Sequence, residues 1–287
     1  MPSFGLLIFP TAYSIQPADL AITAEQLGFE SIWFIDHTHA PASRRTPYPA
    51  GGDLPREYWA NYDQFVALAA AAAATTNIKL ATGVTLMSER DPFVTAKQVA
   101  TLDVISNGRV LLGVGAGWNA EEMENHGTAY KDRWRVVRER VLAMKEMWTK
   151  DQAEFHGKFV NFDPVWIEPK PVQPGGPPII LGSFAGDAVF KRIAAYGDGW
   201  IPLNGFVPAD WRAKLNAALA AVGREPSSVS VTLASIFPGD DFADAAVADG
   251  FDRVVFTLPS EPRDAVMPMI EQYAATARRL SQTPATV

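Results

Sequence analysis

The chain has 287 residues, 48% of them hydrophobic and 20% charged, and its formal net charge is −7. This composition is typical of a soluble globular enzyme, and the negative charge argues against a nucleic-acid or acidic-membrane partner. The sequence has no cysteine, which excludes disulfides, zinc–thiolate sites and thiol catalysis. The N-terminus carries no basic leader and no apolar run is long enough to span a bilayer, so we expect no signal peptide and a cytoplasmic protein.

Predicted strands and helices alternate along the whole chain. Apolar runs predict strands at 4–9, 31–35, 78–84, 109–114, 179–181, 199–202, 229–234 and 253–257. Helices are predicted at 17–27, 62–75, 92–105, 120–148 with a break near Gly127, 187–196, 208–222, 241–248 and 263–280. The proline-rich segment 151–178 predicts a surface hairpin or extended excursion, and 38–60 predicts a long loop that is either a lid or plain surface.

These elements form eight βα units with no polar linker between them, which predicts one domain over 1–287. The strands are continuous apolar runs, as expected for a parallel sheet whose outer face is covered by helices. We therefore predict an α/β fold, a closed (β/α)8 TIM barrel with an insertion between strands four and five. An open, doubly wound sheet is the alternative, although it usually has fewer units.

In a barrel of this kind the chemistry lies at the C-terminal ends of the strands. Asp36 and His37 follow strand two. They indicate either a histidine aimed at a bound ring or an aspartate that caps a turn beside a satisfied histidine. The pair His37 and His39 would suit a metal only with further ligands. Because His126 and His156 fall in the helical and excursion segments, we expect no metal site.

Glycines follow three more strands. Residues 82–85 end strand three, where Gly83 indicates either close packing or an unusual backbone, such as a non-proline cis bond beneath a flat ligand. Residues 113–118 (GVGAGW) form the end of strand four and the turn after it, and glycine lets main-chain N–H groups approach a ligand. Their spacing differs from the dinucleotide fingerprint, so we reject a standard nicotinamide-binding fold. Gly182 and Ser183 precede a helix and predict either a phosphate site or an N-cap serine.

Together these segments resemble the bacterial-luciferase-like superfamily, and within it the branch of coenzyme F420-dependent oxidoreductases. The resemblance is carried by SIWFIDH at 31–37, IKLATGV at 78–84, the stretches 91–118 and 156–183, and GDGW at 197–200. It implies a (β/α)8 barrel with a flavin or deazaflavin at the strand ends. It also implies a homodimer that pairs through helices near 62–75 and 95–105.

The resemblance also implies roles for individual residues. Asp36 and His37 would lie at the edge of the cofactor ring as catalytic residues. The cofactor would be held by a cis peptide at Gly83–Val84 with Thr85, by the turn of Gly115, Ala116, Gly117 and Trp118, and by a phosphate turn at Gly182 and Ser183. Relatives of the sugar-phosphate dehydrogenases carry a glutamate proton donor where this chain has Trp118. Glu121 and Glu122 are either substitutes for it or solvent-facing acids.

We therefore expect an oxidoreductase that transfers a hydride between coenzyme F420 and a small-molecule organic substrate, with His37 as acid or base. The first alternative is an FMN-dependent luciferase-like monooxygenase, and the second is a non-catalytic flavoprotein on the same fold. Trp33, Phe34 and Trp118 are either apolar walls or barrel core. Basic residues near the strand-two and strand-three loops would favour the acidic tail of F420: Arg44, Arg45, Arg56 and Arg90.

Overall fold

The computed structural model describes residues 1–43 and 45–282. Its strands are β1 (Ser3–Ile8), β2 (Ser31–Phe34), β3 (Lys79–Thr82), β4 (Thr85–Leu86), β5 (Val110–Gly115), β6 (Ala153–His156), β7 (Asn161–Val165), β8 (Ile179–Gly182), β9 (Gly199–Ile201), β10 (Ser230–Pro238) and β11 (Arg253–Thr257). Its α-helices are α1 (Pro17–Leu27), α2 (Glu57–Ala60), α3 (Gln64–Ala74), α4 (Pro92–Ser106), α5 (Ala120–Asn125), α6 (Arg133–Thr149), α7 (Asp187–Tyr196), α8 (Trp211–Ala220), α9 (Ala243–Ala248) and α10 (Arg263–Gln282).

Eight parallel strands close into a barrel. Their order is β1, β2, β3, β5, β8, β9, β10 and β11, and β11 pairs with β1 to complete the circle. The pairing of β3 with β5 closes the other side, with Leu80 opposite Val110. The predicted (β/α)8 barrel is therefore confirmed. None of the described helices has the length and apolar character needed to cross a membrane.

Helix bounds follow the capping signals in the sequence. Helix α1 begins at Pro17, where a missing N–H costs nothing, and ends before Gly28, which adopts the left-handed conformation with φ of 86°. The side chain of Asp91 accepts a hydrogen bond from the Val94 N–H and caps α4. Asn107 ends the same helix in the left-handed region. These local signals explain why several predicted bounds agree with the structure.

Two predicted elements were wrong in detail. The apolar run 78–84 was expected to be one strand, but it stops at Thr82 and resumes as β4 after Gly83 and Val84. The loop 38–60 was expected to lack regular structure, but it contains the short helix α2. Both departures lie at the C-terminal end of the barrel, where tertiary contacts outweigh local preference.

The barrel interior is filled by one side chain from each of its eight strands. This inner cluster consists of Leu7, Trp33, Ala81, Leu111, Ile180, Ile201, Ala234 and Val255. Trp33 is fully buried there, while Phe34 points outward into the main core between the strands and the helices. Both residues are therefore barrel core rather than walls of a ligand site.

An ion pair closes the N-terminal end of the barrel. The Arg253 guanidinium donates two hydrogen bonds of 2.8 Å to the Glu30 carboxylate, and Lys79 lies 3.1 Å from the same group. Burial alone would raise the pKa of Glu30, but the hydrogen bonds and charge of Arg253 outweigh it and lower this pKa to about 2. This end of the barrel therefore carries a stabilising charge pair, away from the strand ends where a site is expected.

The segment between barrel strands β5 and β8 leaves the barrel. It includes α5, α6 and an antiparallel hairpin of β6 and β7. Glu139 of α6 accepts hydrogen bonds from the N–H groups of Phe159 and Val160, which joins the hairpin to the helix. A turn with φ of 77° at Gly127 separates α5 from the segment that leads into α6, where the sequence predicted a break.

Candidate functional site

The C-terminal end of the barrel carries a partly exposed apolar floor. Ile35, Val84 and Leu203 pack on the inner cluster from above, and each remains partly exposed. They follow β2, β3 and β9, so they reach the barrel mouth from widely spaced strands. A floor of this kind suits the face of a flat, largely apolar molecule.

Val84 reaches the floor through a bulge in strand three. The peptide bond Gly83–Val84 is cis, as the resemblance implied, and the Gly83 N–H donates to the Phe34 carbonyl oxygen at 2.7 Å. A Cβ added at Gly115 or at Gly182 would lie 2.6 Å from a methyl carbon of Val84. These two glycines therefore make room for the Val84 side chain, which is wedged between β5 and β8.

The residues predicted to bind a cofactor fall into two groups by exposure. Thr85, Gly115 and Ala116 are buried, and the Thr85 hydroxyl donates to the Gln64 side chain at 2.8 Å. The others are partly exposed at the barrel mouth: Gly83, Val84, Gly117, Trp118, Gly182 and Ser183. Only this second group is open to contact with a ligand.

His37 is held by a buried carboxylate. Its Nδ1 lies 2.8 Å from Oε2 of Glu122, and the other oxygen of Glu122 accepts the Thr38 N–H at 3.1 Å. Glu122 is 1% exposed and His37 is 9% exposed. A carboxylate at Nδ1 orients an imidazole and leaves Nε2 as the nitrogen available to a ligand.

Sequence reasoning left open whether Glu121 and Glu122 face solvent, and the structure shows that both are buried. They lie in the first turn of α5, whose N-cap Asn119 accepts a hydrogen bond from the Glu122 N–H. In the sequence, the only indication of a role for Glu122 is its position: it is an acid one helical turn after the glycine-rich end of strand β5. Its contact with His37 depends on how α5 packs over the loop after β2.

Asp36 lies in a buried ion pair with Arg90. Its carboxylate accepts hydrogen bonds from Nε and Nη2 of Arg90 at 2.7 and 2.5 Å and from the Leu86 N–H at 3.0 Å. Burial opposes the charge of Arg90, but the hydrogen bonds and charge of Asp36 outweigh it and raise the pKa of this guanidinium. Asp36 thus fixes the segment after β4 relative to His37.

Five aromatic rings meet beside the floor. They are the side chains of Phe9, His37, Tyr48, Tyr58 and Trp118, with neighbouring ring centroids 4.7–6.4 Å apart. Burial raises the pKa of the Tyr58 phenol, whose hydroxyl lies 3.4 Å from that of Tyr48. Sequence reasoning missed both tyrosines because they belong to the loop 38–60, where composition indicates no geometry.

Helix α5 also forms hydrogen bonds with the loop 38–60. Glu121 accepts hydrogen bonds from the N–H groups of Arg45 and Thr46 and from the Thr46 hydroxyl. Burial raises the pKa of Glu121, but these hydrogen bonds outweigh it and lower this pKa to about 2. Arg45 also pairs with Glu124. The loop that carries the two tyrosines is therefore tied to the helix that carries Glu122.

The basic residues expected at the rim have partners within the protein. Arg45 pairs with carboxylates of α5, Arg90 is bound to Asp36, and Arg56 lies over the Tyr13 ring at 4.9 Å. Arg44 lies outside the described residues. The described arginines of this rim are therefore engaged in contacts inside the chain.

His39 and His126 lie close together at the outer edge of the site. The Thr38 hydroxyl is 2.8 Å from Nδ1 of His39 and 2.7 Å from Nε2 of His126, and Asn125 contacts the other nitrogen of His39. Within residues 1–43 and 45–282, no group of three or more His, Cys, Asp or Glu side chains could hold a metal ion. These histidines help to join the loop after β2 to α5.

The turn after β8 forms the opposite rim. Helix α7 begins at Asp187 with Gly186 in the N-cap position, so Ser183 does not cap it and that alternative was wrong. The Ser183 carbonyl oxygen accepts a hydrogen bond from the Trp200 indole at 3.1 Å. Phe184 and Phe206 are exposed beside this turn, with ring centroids 4.7 Å apart.

Two known proteins are similar to this chain in sequence. A protein of Mycobacterium tuberculosis (strain H37Rv), Rv0953c, is 39% identical over 276 residues, which are 95% of this chain and 97% of the relative. An F420-dependent glucose-6-phosphate dehydrogenase of Amycolatopsis mediterranei is 32% identical over 202 residues, which are 68% of this chain and 56% of the relative.

A solved structure and a family model extend the likeness over the whole barrel. The coenzyme F420-dependent tetrahydromethanopterin reductase of Methanopyrus kandleri shares the fold with a TM-score of 0.70 at 19% identity, covering 95% of this chain and 97% of that one. The family model described as luciferase-like monooxygenase matches residues 16–281. The chain therefore belongs to the luciferase-like monooxygenase family.

Proposed function

We propose that this protein is an oxidoreductase that transfers a hydride between coenzyme F420 and a small organic substrate. The observation that carries the proposal is His37, oriented by the buried Glu122 beside a partly exposed apolar floor at the barrel mouth. The likeness to an F420-dependent dehydrogenase supports the choice of cofactor. An imidazole beside an exposed apolar surface is suited to proton exchange with a bound substrate.

The residues at the barrel mouth fit a planar ring. Val84 is half-buried, and the space around its side chain is kept open below by glycines at 113, 115 and 182, whose added Cβ atoms would meet it. We assign Gly83 and Val84 to support the ring from beneath and Trp118 to flank it beside the left-handed turn at Gly117. Gly182 and Ser183 are assigned to the phosphate end. When bound, the deazaflavin supplies a ring carbon that gives or accepts the hydride.

The buried residues of the predicted cofactor set act on the floor instead. Thr85 is bound to Gln64, and the Ala116 carbonyl oxygen accepts the Ser88 hydroxyl at 2.8 Å. These contacts fix the segment after the bulge against α3 and against the end of β5. We therefore assign Thr85, Gly115 and Ala116 to positioning of the floor and not to cofactor contact.

His37 is assigned the proton transfer. With Glu122 as the acceptor, Nδ1 carries its hydrogen and Nε2 exchanges a proton with the substrate. The aromatic rings of Phe9, Tyr58 and Trp118 surround the imidazole and keep bulk water from it. Asp36 is assigned an indirect role, because it positions Arg90 and the backbone of β4 and does not contact the substrate.

An FMN-dependent monooxygenase is the second candidate, favoured by the description of the family itself. It would use the same floor and the same histidine. The two candidates differ in their response to oxygen, because a reduced flavin must react with oxygen whereas a deazaflavin reacts with it poorly. A non-catalytic flavoprotein is the third candidate.

We also propose a homodimer that pairs through α3 and α4. These helices pack side by side and expose Val66, Val94 and Ile105, each more than half exposed. Several exposed apolar side chains on two neighbouring helices favour a surface that a second protein molecule covers. A light-scattering mass equal to one chain would contradict the dimer.

A cofactor titration tests the proposed function. The purified protein is titrated separately with F420 and with FMN, and we expect binding of F420 together with substrate-dependent oxidation or reduction of its ring. The variant His37→Asn is expected to bind F420 as the native protein does and to lose roughly 100-fold or more in turnover. His156→Asn is the matched control, because His156 lies in the hairpin and contacts Asn161.

The outcomes separate the candidates. Tight binding of FMN without binding of F420, with oxygen consumed during turnover, would establish the monooxygenase. Equal turnover by the native protein and His37→Asn would remove His37 from the mechanism. Cofactor binding without turnover of any substrate tried would favour the non-catalytic flavoprotein.

A further inference from the structure

A buried acid behind the His37–Glu122 pair has no part in the function proposed above. Glu89 follows β4, and its N–H donates to the Leu86 carbonyl oxygen at 2.9 Å. Its side chain is 6% exposed, and among the described residues no donor faces either carboxyl oxygen. A buried carboxylate without donors is costly, so this group needs a physical explanation.

Its surroundings are acidic and closely packed. The Glu122 carboxylate lies within hydrogen-bonding reach of Glu89, and Asp36 adds a second negative charge. The backbone of Gly117 covers the group, since a Cβ added at Gly117 would lie 3.2 Å from Oε1 of Glu89. Glu89 therefore interacts with Glu122 directly.

Within the part of the chain that the structure describes, the charges of Arg90 and Arg140 act on Glu89, and each arginine has another hydrogen-bond partner. Arg90 donates to Asp36 and lies 3.3 Å from Asp63, and Arg140 of α6 donates to the Met87 carbonyl oxygen at 2.9 Å. Burial, followed by the charges of Glu122 and Asp36, raises the pKa of Glu89 well above its ordinary value, against the lowering effect of Arg90. Glu89 is therefore neutral at physiological pH and carries one O–H donor.

We propose that Glu89 is a positioning residue for His37, a protonated carboxyl that donates its hydrogen to Glu122 and completes a buried chain Glu89–Glu122–His37. This proposal rests on the role assigned to His37 above. In this arrangement, the carboxyl oxygens of Glu122 accept hydrogen bonds from His37 Nδ1, the Thr38 N–H and the Glu89 hydroxyl. Three donors hold this carboxylate in one orientation, and the carboxylate in turn holds the imidazole.

The protonation state of Glu89 is measured without any turnover. Infrared difference spectra of the native protein at pH 7 are expected to contain the carbonyl stretch of a protonated carboxylic acid, because burial and the neighbouring carboxylates raise the pKa of Glu89. Glu89→Gln removes this band. Glu121→Gln is the matched control and leaves the band in place, because Glu121 is ionised at pH 7.

The positioning role is measured by comparing two variants of similar size. Glu89→Gln retains a donor for Glu122 through its amide, so turnover is expected to stay within about threefold of the native protein. Glu89→Leu has no donor, and kcat is expected to fall roughly 10- to 100-fold with KM unchanged, the range for loss of a hydrogen bond to a charged group. The His37 Nδ1–H signal in proton NMR is expected to persist in Glu89→Gln and to broaden in Glu89→Leu.

Each result decides one question. Spectra without an acid band, or with a band that survives in Glu89→Gln, overturn the assignment of Glu89 as a neutral donor. Equal kcat and an equal His37 signal in the Gln and Leu variants overturn the positioning role. Absence of turnover in the native protein with F420 and with FMN contradicts the proposed function, while the infrared and NMR comparisons still decide the state and contacts of Glu89.

Discussion

The fit between Val84 and the glycine at the end of β8 can be tested by adding a single methyl group. In Gly182→Ala, the new Cβ would lie 2.6 Å from Cγ1 of Val84, 3.4 Å from Cγ2 and 3.5 Å from Cγ2 of Ile201. Val84 already fills the space that Gly115 leaves towards β5, since a Cβ built at Gly115 would lie 2.6 Å from its Cγ2. The side chain must therefore rise into the floor, or β8 must move outward.

The magnitude follows from ordinary contact distances. Carbon atoms in contact lie about 3.5–4.0 Å apart, so Val84 or β8 must shift by about 1 Å. Overpacking of this kind costs roughly 1–3 kcal/mol in the free energy of unfolding. At about 2–4 °C per kcal/mol for a domain approaching this size, Tm should fall by roughly 2–12 °C. If the floor supports the cofactor ring, a raised Val84 should also weaken cofactor binding by about tenfold or more, which is 1.4 kcal/mol.

Thermal unfolding and cofactor titration of three variants provide the assay. Gly186→Ala is the matched control in the same turn, because its Cβ would meet nothing within 4 Å and its φ of 161° is extended backbone. The double variant Gly182→Ala/Val84→Ala removes the clashing methyl groups, so it should recover part of the stability lost in Gly182→Ala, with a coupling of roughly 0.5–3 kcal/mol. If Gly182→Ala matched Gly186→Ala in Tm and in cofactor affinity, the inferred packing of Val84 would be refuted.

Two further variants test the charges at opposite ends of the barrel. Glu122→Gln should lower kcat by about 10- to 100-fold while cofactor binding is preserved, because the His37 ring loses its carboxylate partner; an unchanged kcat would contradict this. Glu30→Gln should destabilise the fold by about 1–3 kcal/mol at pH 7, since pairing with Arg253 holds the pKa of Glu30 at about 2, below its ordinary 4.5. That stability is present above pH 4.5 and is lost as the pH falls towards 2, so urea unfolding should show the gap between variant and native protein shrinking across this window. A gap of constant size would exclude the linkage.

Much of the fold follows from signals that act over a few residues. Pro17 and Gly28 delimit α1 and Pro92 begins α4, as the sequence predicts. The apolar runs identify the barrel strands because a strand buried on both faces has no polar alternation. The right number of βα units, in the right order, then leaves a closed barrel as the simplest arrangement.

The break in strand three could not be predicted from its own residues. The run 78–84 is apolar and β-branched enough to continue as a strand. It stops because the Val84 side chain occupies space that glycines of β5 and β8 leave open, 31 and 98 positions further along the chain at Gly115 and Gly182. The resemblance indicated the cis bond, but only the packing shows what the glycines do.

The site also divides into features that the sequence determined and features that only the tertiary structure decided. The sequence by itself determined that His37 stands at the end of a barrel strand and that acids follow the glycine-rich turn of β5. Only the tertiary structure decided that Glu122 contacts His37 across 85 positions, that Asp36 faces Arg90, and that the loop 38–60 brings two tyrosines to the imidazole. Strand and helix preferences act between neighbours in the chain, whereas burial, and with it the protonation and pairing of these carboxyl groups, is a property of the surface that distant segments close together.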